Sequence, residues 1–309
     1  MNNGVSKNVE KIFAFVCIAA AIALWAVCTL PWSFANELSD DTVVFSYVAQ
    51  RMLAGDVLFR DVWDHKGPLI FMLNAAGLWL GGGSYGGIKA VEFLMMSAAA
   101  MLLYLSLMRF AGRRFAALTT LAATAAMRVP LGEGNFTEEY AVFFQALALY
   151  FLVRLEIESC RRAGLCAFVI GFAGACAFFF RANLTGFWLV IGIYWIVKAA
   201  VSKDYKSFFR KLLWAAVPVV LMGGGFALYF GWNGALWGFL EGLIFHNIRY
   251  SQDVSLPLWA KAGKMLALGQ STYPFGPLVV IGSIILVRGW LKKRYPLVFV
   301  FAVVWLAVE

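Results

Sequence analysis

Three groups of polar residues interrupt an otherwise apolar chain. The densest joins Asp40-Asp41 to Arg60-Asp61-Val62-Trp63-Asp64-His65-Lys66-Gly67-Pro68. Carboxylates of this kind can take the proton from an attacking hydroxyl. Asp40 and Asp41 also suit the first turn of a helix capped by Ser39, where the helix dipole favours acids. The two roles are compatible. The second group is Gly132-Glu133-Gly134-Asn135-Phe136-Thr137-Glu138-Glu139-Tyr140, where Thr137 is the expected N-cap with two acids behind it. The third is cationic: Lys66, Arg181, and Arg249 in His246-Asn247-Ile248-Arg249-Tyr250. These cations either balance nearby acids or grip phosphate.

His65 and His246 are the only histidines. With carboxylates they suit zinc or a divalent ion beside a phosphate, though interfacial hydrogen bonding is the commoner role for such residues. The chain carries no Walker A, GxGxxG or HExxH sequence, and no G-x-S-x-G elbow. Cys17, Cys28, Cys160, Cys166 and Cys176 include no CxxC pair and read as small buried hydrophobes. The two Asn-x-Thr matches, at Asn135 and Asn183, are too short a pattern to carry weight.

The elements that position these groups follow from composition. Of 309 residues, 62% are hydrophobic and 14% charged, against roughly 25% charged in a soluble domain. Mean hydropathy is +0.77. A soluble core cannot absorb that much apolar surface. An ordinary cytosolic enzyme, a disordered chain and a disulfide scaffold are excluded, leaving an all-α polytopic membrane protein. Apolar runs long enough for spans, at about 20 residues each, fall near 12–31, 90–108, 115–128, 140–155, 164–180, 184–200, 212–231, 274–290 and 296–308. That is about nine spans, several of them short. The segment 1–31 reads as a retained N-terminal anchor, its apolar run being long for a signal core. The last run stops at Glu309, so a C-terminally truncated chain is expected, a fragment or shortened form of something larger.

Net charge is +9, and its distribution speaks for topology, with no support for nucleic-acid binding. With the N-terminus inside, basic residues cluster at alternate turns: Lys7 and Lys11, then 109–114, 154–162, 198–211 and 288–294. The positive-inside rule places these in the cytoplasm. The carboxylates then gather outside, in a first outer loop over 32–89, a second long outer loop over 232–273, and the short turn at 132–139. Within the first loop, 40–54 has the apolar spacing of an interfacial helix, and 68–80 is apolar but too short to span easily. Glycines at 81–87 break the chain before the next span.

The run Asp41-x-x-x-Phe45-x-Tyr47, Gly55, then Asp61-Val62-Trp63-Asp64-His65-Lys66-Gly67-Pro68-Leu69 resembles the first outer loop of GT-C membrane glycosyltransferases. It is closest to the bacterial branch similar to protein O-mannosyltransferases and lipid A aminoarabinose transferases. Gly134–Tyr140 is similar to the acidic second loop of that group, and His246-x-x-Arg249-Tyr250 to a His-x-x-Arg-aromatic stretch of the aminoarabinose transferases. The resemblance implies a single GT-C-like transmembrane domain over 1–309. It implies transfer of a hexosyl or pentosyl unit from a polyprenyl-phosphate donor to an acceptor hydroxyl on a lipid, glycan or protein, at the periplasmic side of the bacterial inner membrane. The family's catalytic aspartate maps to Asp41, with Asp40 its neighbour and Glu138 in the second acidic loop. Lys66, Arg181 and Arg249 would hold donor phosphate, with Asp64, His65, Glu139 and His246 in support. No cofactor is certain; a divalent metal near His65 and His246 is implied for the aminoarabinose transferases. Two departures are plain: Thr42 stands where Glu is usual, and Lys-Pro is split by Gly67. The alternatives are a transporter or lipid flippase, and a non-catalytic membrane partner.

Overall fold

The computed structural model describes residues 2–29, 40–128, 134–157 and 162–253. Ser39, Glu133, Cys160, the expected spans at 274–290 and 296–308, and the C-terminal end lie outside the described residues. Among the described residues there is no strand, only an isolated bridge between Leu58 and Val62. The helices are α1 (Asn2–Thr29), α2 (Asp40–Leu53), α3 (Pro68–Leu80), α4 (Tyr85–Ala111), α5 (Arg113–Arg128), α6 (Thr137–Glu156), α7 (Ala163–Phe180), α8 (Gly186–Ser202), α9 (Tyr205–Trp232), α10 (Leu236–Leu240) and α11 (His246–Asp253). A π-helical turn, Glu241–Phe245, fills the gap between α10 and α11. The described residues of the first seven expected spans are helical. Among the described residues five helical segments are long and apolar enough to cross a membrane: Asn8–Val27, Tyr85–Arg109, Ala163–Phe180, Ala182–Ser202 and Tyr205–Trp232. The chain is therefore an all-helical protein whose described helices suit an integral membrane protein.

The chain divides into two units, Met1–Leu184 with Phe209–Ile244, and Thr185–Phe208 with Phe245–Glu309. In the first unit, α4 packs against α1, α3, α5 and α6, α6 against α7, and α2 against α3. Its main core is aromatic. Phe45 meets Phe71 edge-on at 5.7 Å, Tyr140 stacks on Phe180 at 5.6 Å, and Phe59 sits between Phe230 and Phe239 at 5.2 and 5.6 Å. Such pairs add to the burial energy of the rings and fix their orientation. In the second unit, the buried positions of α8 (Phe187, Ile191, Trp195 and Ala199) recur every four residues, one stripe of a helix.

Three boundaries differ from the sequence reading. Helix α4 begins at Tyr85, several residues before its apolar run, because Ser84 caps it by accepting a hydrogen bond from the Gly86 amide at 3.2 Å. Lys89 thus lies on a helix and not in a loop. At α6 the N-cap is Phe136, and Thr137 is the first helical residue. The Glu139 carboxylate reaches back to accept from the Phe136 amide at 2.9 Å, the N3-to-N-cap half of a capping box. The segment expected as an outer loop at 232–273 is helical from Leu236 to Asp253, where its described part ends.

Candidate functional site

The site is assembled in the first unit from four pieces of chain that are far apart in sequence. Helix α2 supplies Asp41 in its first turn, half-exposed, and Thr42 beside it, fully buried. The turn before α3 supplies Lys66. The Asp64 carboxylate accepts a hydrogen bond from the Lys66 backbone N–H at 2.8 Å, an Asx-type turn that folds the chain toward α2. Gly67 then donates its backbone N–H to the Phe180 carbonyl at 3.0 Å, at the end of α7. A Cβ at this glycine would fall 2.0 Å from the Phe179 carbonyl oxygen, so only glycine permits the approach. This is the physical reason the motif reads Lys-Gly-Pro. Pro68 follows as the first residue of α3, where a missing N–H costs nothing.

Lys66 is 5% exposed. Its Nζ lies 3.7 Å from Asp41 Oδ1 and 5.4 Å from the centre of the Phe45 ring. A desolvated ammonium needs such partners. Arg181 caps the end of α7 and binds Glu138 with Nη1 to Oε1 at 2.8 Å; the Thr137 hydroxyl donates to the other carboxylate oxygen of Glu138 at 2.8 Å. The Gly67–Phe180 bond holds Lys66 and Arg181 on one backbone junction. The pairs Asp41–Lys66 and Glu138–Arg181, drawn from positions up to 140 residues apart, therefore stand on either side of one backbone junction. Asp40 stands in the same first turn of α2, exposed.

Beneath this site lies a buried polar layer. The Thr42 hydroxyl donates to the Gly134 carbonyl at 3.1 Å. Asn74 and Asn135 exchange side-chain hydrogen bonds at 3.0 and 2.9 Å, and the Tyr140 hydroxyl donates to Asn135 at 2.8 Å. Gly134 and Asn135 both have left-handed backbones, with φ of 73° and 62°, which glycine and asparagine tolerate best. Next to them Lys89 pairs with Glu92 at 3.1 Å, both buried, and Glu139 is wholly buried. Lys89, Asn74 and Thr42 carry no motif. The one sequence signal for this layer is a Lys-x-x-Glu pair just inside an apolar run.

The loop between α2 and α3 is pinned at its base. Arg51 pairs with Asp56, and Arg60 with Asp61 at 2.8 Å. The Arg60 guanidinium and the Val57 backbone N–H together hold the Asp61 carboxyl below its usual range, at about 2. His65 is partly exposed, its Nδ1 3.6 Å from Asp64. His246 and Arg249 belong to the second unit, on α11, where Arg249 is exposed. Among the described residues no group of three or more His, Cys, Asp or Glu side chains gathers as a metal ion would require, and His65 and His246 fall in separate units.

These features describe a helical chain whose described helices suit a membrane, with two ion pairs, Asp41–Lys66 and Glu138–Arg181, at helix ends. The chain belongs to the family described as "Putative competence-induced protein Ccs4 N-terminal domain", whose model matches residues 6–254. No curated protein and no solved structure matches the chain.

Proposed function

We propose that the chain is a GT-C-like membrane glycosyltransferase that moves a sugar from polyprenyl phosphate to an acceptor hydroxyl on the outer face of the inner membrane. The supporting observation is the half-exposed Asp41 carboxylate 3.7 Å from the buried Lys66 ammonium, with Arg181 anchored beside it. In this reading Asp41 takes the acceptor proton as the hydroxyl oxygen attacks the anomeric carbon. The bond from that carbon to the phosphate oxygen breaks, and the phosphate keeps the electron pair. Lys66 and Arg181 stabilise its new charge. Glu138 holds Arg181 in place, and Asp64 holds the Lys66 backbone. One carboxylate acting as base gives inversion at the sugar carbon.

The reading carries about nine spans, with the N-terminus cytoplasmic. The ion pairs fit that sidedness. Glu10 pairs with Arg114 at 3.5 Å and Glu156 with Lys211 at 2.9 Å, joining residues all expected inside. Asp41–Lys66 and Glu138–Arg181 join residues all expected outside. The family description names competence induction and no reaction, so the reading rests on the site and on the motif resemblance.

The test compares membrane lipids and envelope glycans by mass spectrometry in a strain lacking the protein and in strains restored with wild type or Asp41→Asn. One glycosylated species should vanish with the gene and return with the wild type. Asp41→Asn should cut its rate of formation by about 10²–10⁴-fold. Unchanged glycans, or full restoration by Asp41→Asn and by Asp40→Asn, would overturn the proposal.

One observation favours a second reading, a transporter or lipid flippase: ionisable Lys89 and Glu92 are buried on a helix suited to span the membrane. That reading expects a solute or lipid to accumulate on one side of vesicles, with no new glycosidic bond.

A further inference from the structure

Two carboxyl groups and one ammonium are buried together beneath the ionic site, on α4 and at the start of α6. Glu92 is 1% exposed, Glu139 is 0% and Lys89 is 5%. Glu92 Oε2 accepts from Lys89 Nζ at 3.1 Å. Glu139 Oε2 accepts from the Phe136 amide at 2.9 Å. Glu92 and Glu139 also lie within hydrogen-bonding reach of each other, and both face the backbone N–H of Asn135. One oxygen of each, Glu92 Oε1 and Glu139 Oε1, is sealed from solvent with no hydrogen-bond partner. Two acceptors facing one another cannot satisfy each other. Among the described residues, the other ionisable groups facing them, Tyr85 on α4 and Tyr140 on α6, bring no further positive charge.

Charge arithmetic decides what fills the gap. With both acids ionised these three groups are two negative against one positive, a net buried charge of −1, which desolvation strongly disfavours. Adding one proton makes the cluster neutral and turns one of the orphan oxygens into a donor for the other. Gly134 leaves no room for a bulkier solution: a Cβ there would fall 2.4 Å from Lys89 Nζ and 2.5 Å from Glu92 Oε1.

We infer that Glu92 and Glu139 share a single bound proton at neutral pH, a proton-binding site under the 134–139 turn. The proton closes the link from α4 to the first turn of α6. Through Thr42 and Gly134 on one side and Glu138 on the other, it sets the positions of Asp41 and Arg181. The inference stands without the glycosyl-transfer reading.

The test is infrared spectroscopy of the purified full chain in lipid nanodiscs at pH 7. The wild type should show the C=O stretch of one protonated carboxyl group, shifting in heavy water and again when glutamate alone is carbon-13 labelled. Glu92→Gln and Glu139→Gln should each lose it, since the amide supplies the missing donor and leaves one carboxylate for Lys89. Lys89→Met should double it, since removal of the ammonium calls for a second proton. No such band in the wild type, a band unmoved by the glutamate label, or a band surviving in either glutamine variant would overturn the inference. The labelling arm needs no substitution, so it stands even if a variant does not fold.

Discussion

A lysine buried to 5% exposure carries a desolvation cost that its half-exposed carboxylate partner, 3.7 Å away, offsets. The Lys66 ammonium lies over the Phe45 ring, where an apolar side chain of similar length also packs, so Lys66→Met should fold while losing the charge. Its binding of a polyprenyl phosphate, measured with the lipid phosphate itself, is expected to fall at least tenfold, and likewise in Arg181→Met. Affinity unchanged in both would assign these cations to balancing Asp41 and Glu138. Asp61 supplies a pH prediction. Its carboxyl titrates at about 2 in the folded chain, depressed by Arg60 and the Val57 amide. A depressed acid stabilises above its unfolded value of about 4 and loses that contribution as pH falls toward 2. Amide-exchange protection over 57–62, corrected for the intrinsic rate, should therefore drop through that window. Asp61→Asn should show the lower protection already at pH 7 and no acid-dependent step. Asp41 and Lys66 were legible as chemistry from residue type and spacing. Lys89 was not, since one lysine at the edge of an apolar run looks the same whether it faces water or a buried acid.

At the level of elements, backbone approach decides as much as side-chain chemistry. Gly67 meets the carbonyls of Phe179 and Phe180 with no space for a methyl group. Gly67→Ala is expected to destabilise the fold by about 1–3 kcal/mol, the usual cost of overpacking. Thermal unfolding in detergent measures this, and a midpoint equal to wild type would show that the Lys66 turn can move off α7. Helices α2 and α3 were readable from their apolar spacing to within a residue at each end. The starts of α4 and α6 were not. Each is set by a cap whose partner, Gly86 or Glu139, gains its role only when the backbone is in place. The helical run from Leu236 to Asp253 was also hidden, since its polar C-terminal half resembles loop composition and its π-turn breaks the 3.6-residue period.

For the whole molecule, the testable claim is sidedness. A single cysteine placed at Asp56 should react with a membrane-impermeant reagent from outside, and one at Lys206 only after permeabilisation. The reverse pattern would move the carboxylate site to the cytoplasm. Cys17, Cys166 and Cys176 are buried, which keeps their background low. Composition by itself determined the helical, membrane-suited class. An apolar chain can satisfy its backbone in lipid only with helices or a closed barrel, and the long apolar runs exclude the barrel's short alternation. Charge placement determined an expected orientation. Only the tertiary structure decided which polar residues meet. Asp41 with Lys66, Glu138 with Arg181, and Glu92 with Glu139 are paired by helix packing across tens of residues. Periodicity records which face of a helix is apolar; it holds no information about which polar group on another helix will stand opposite.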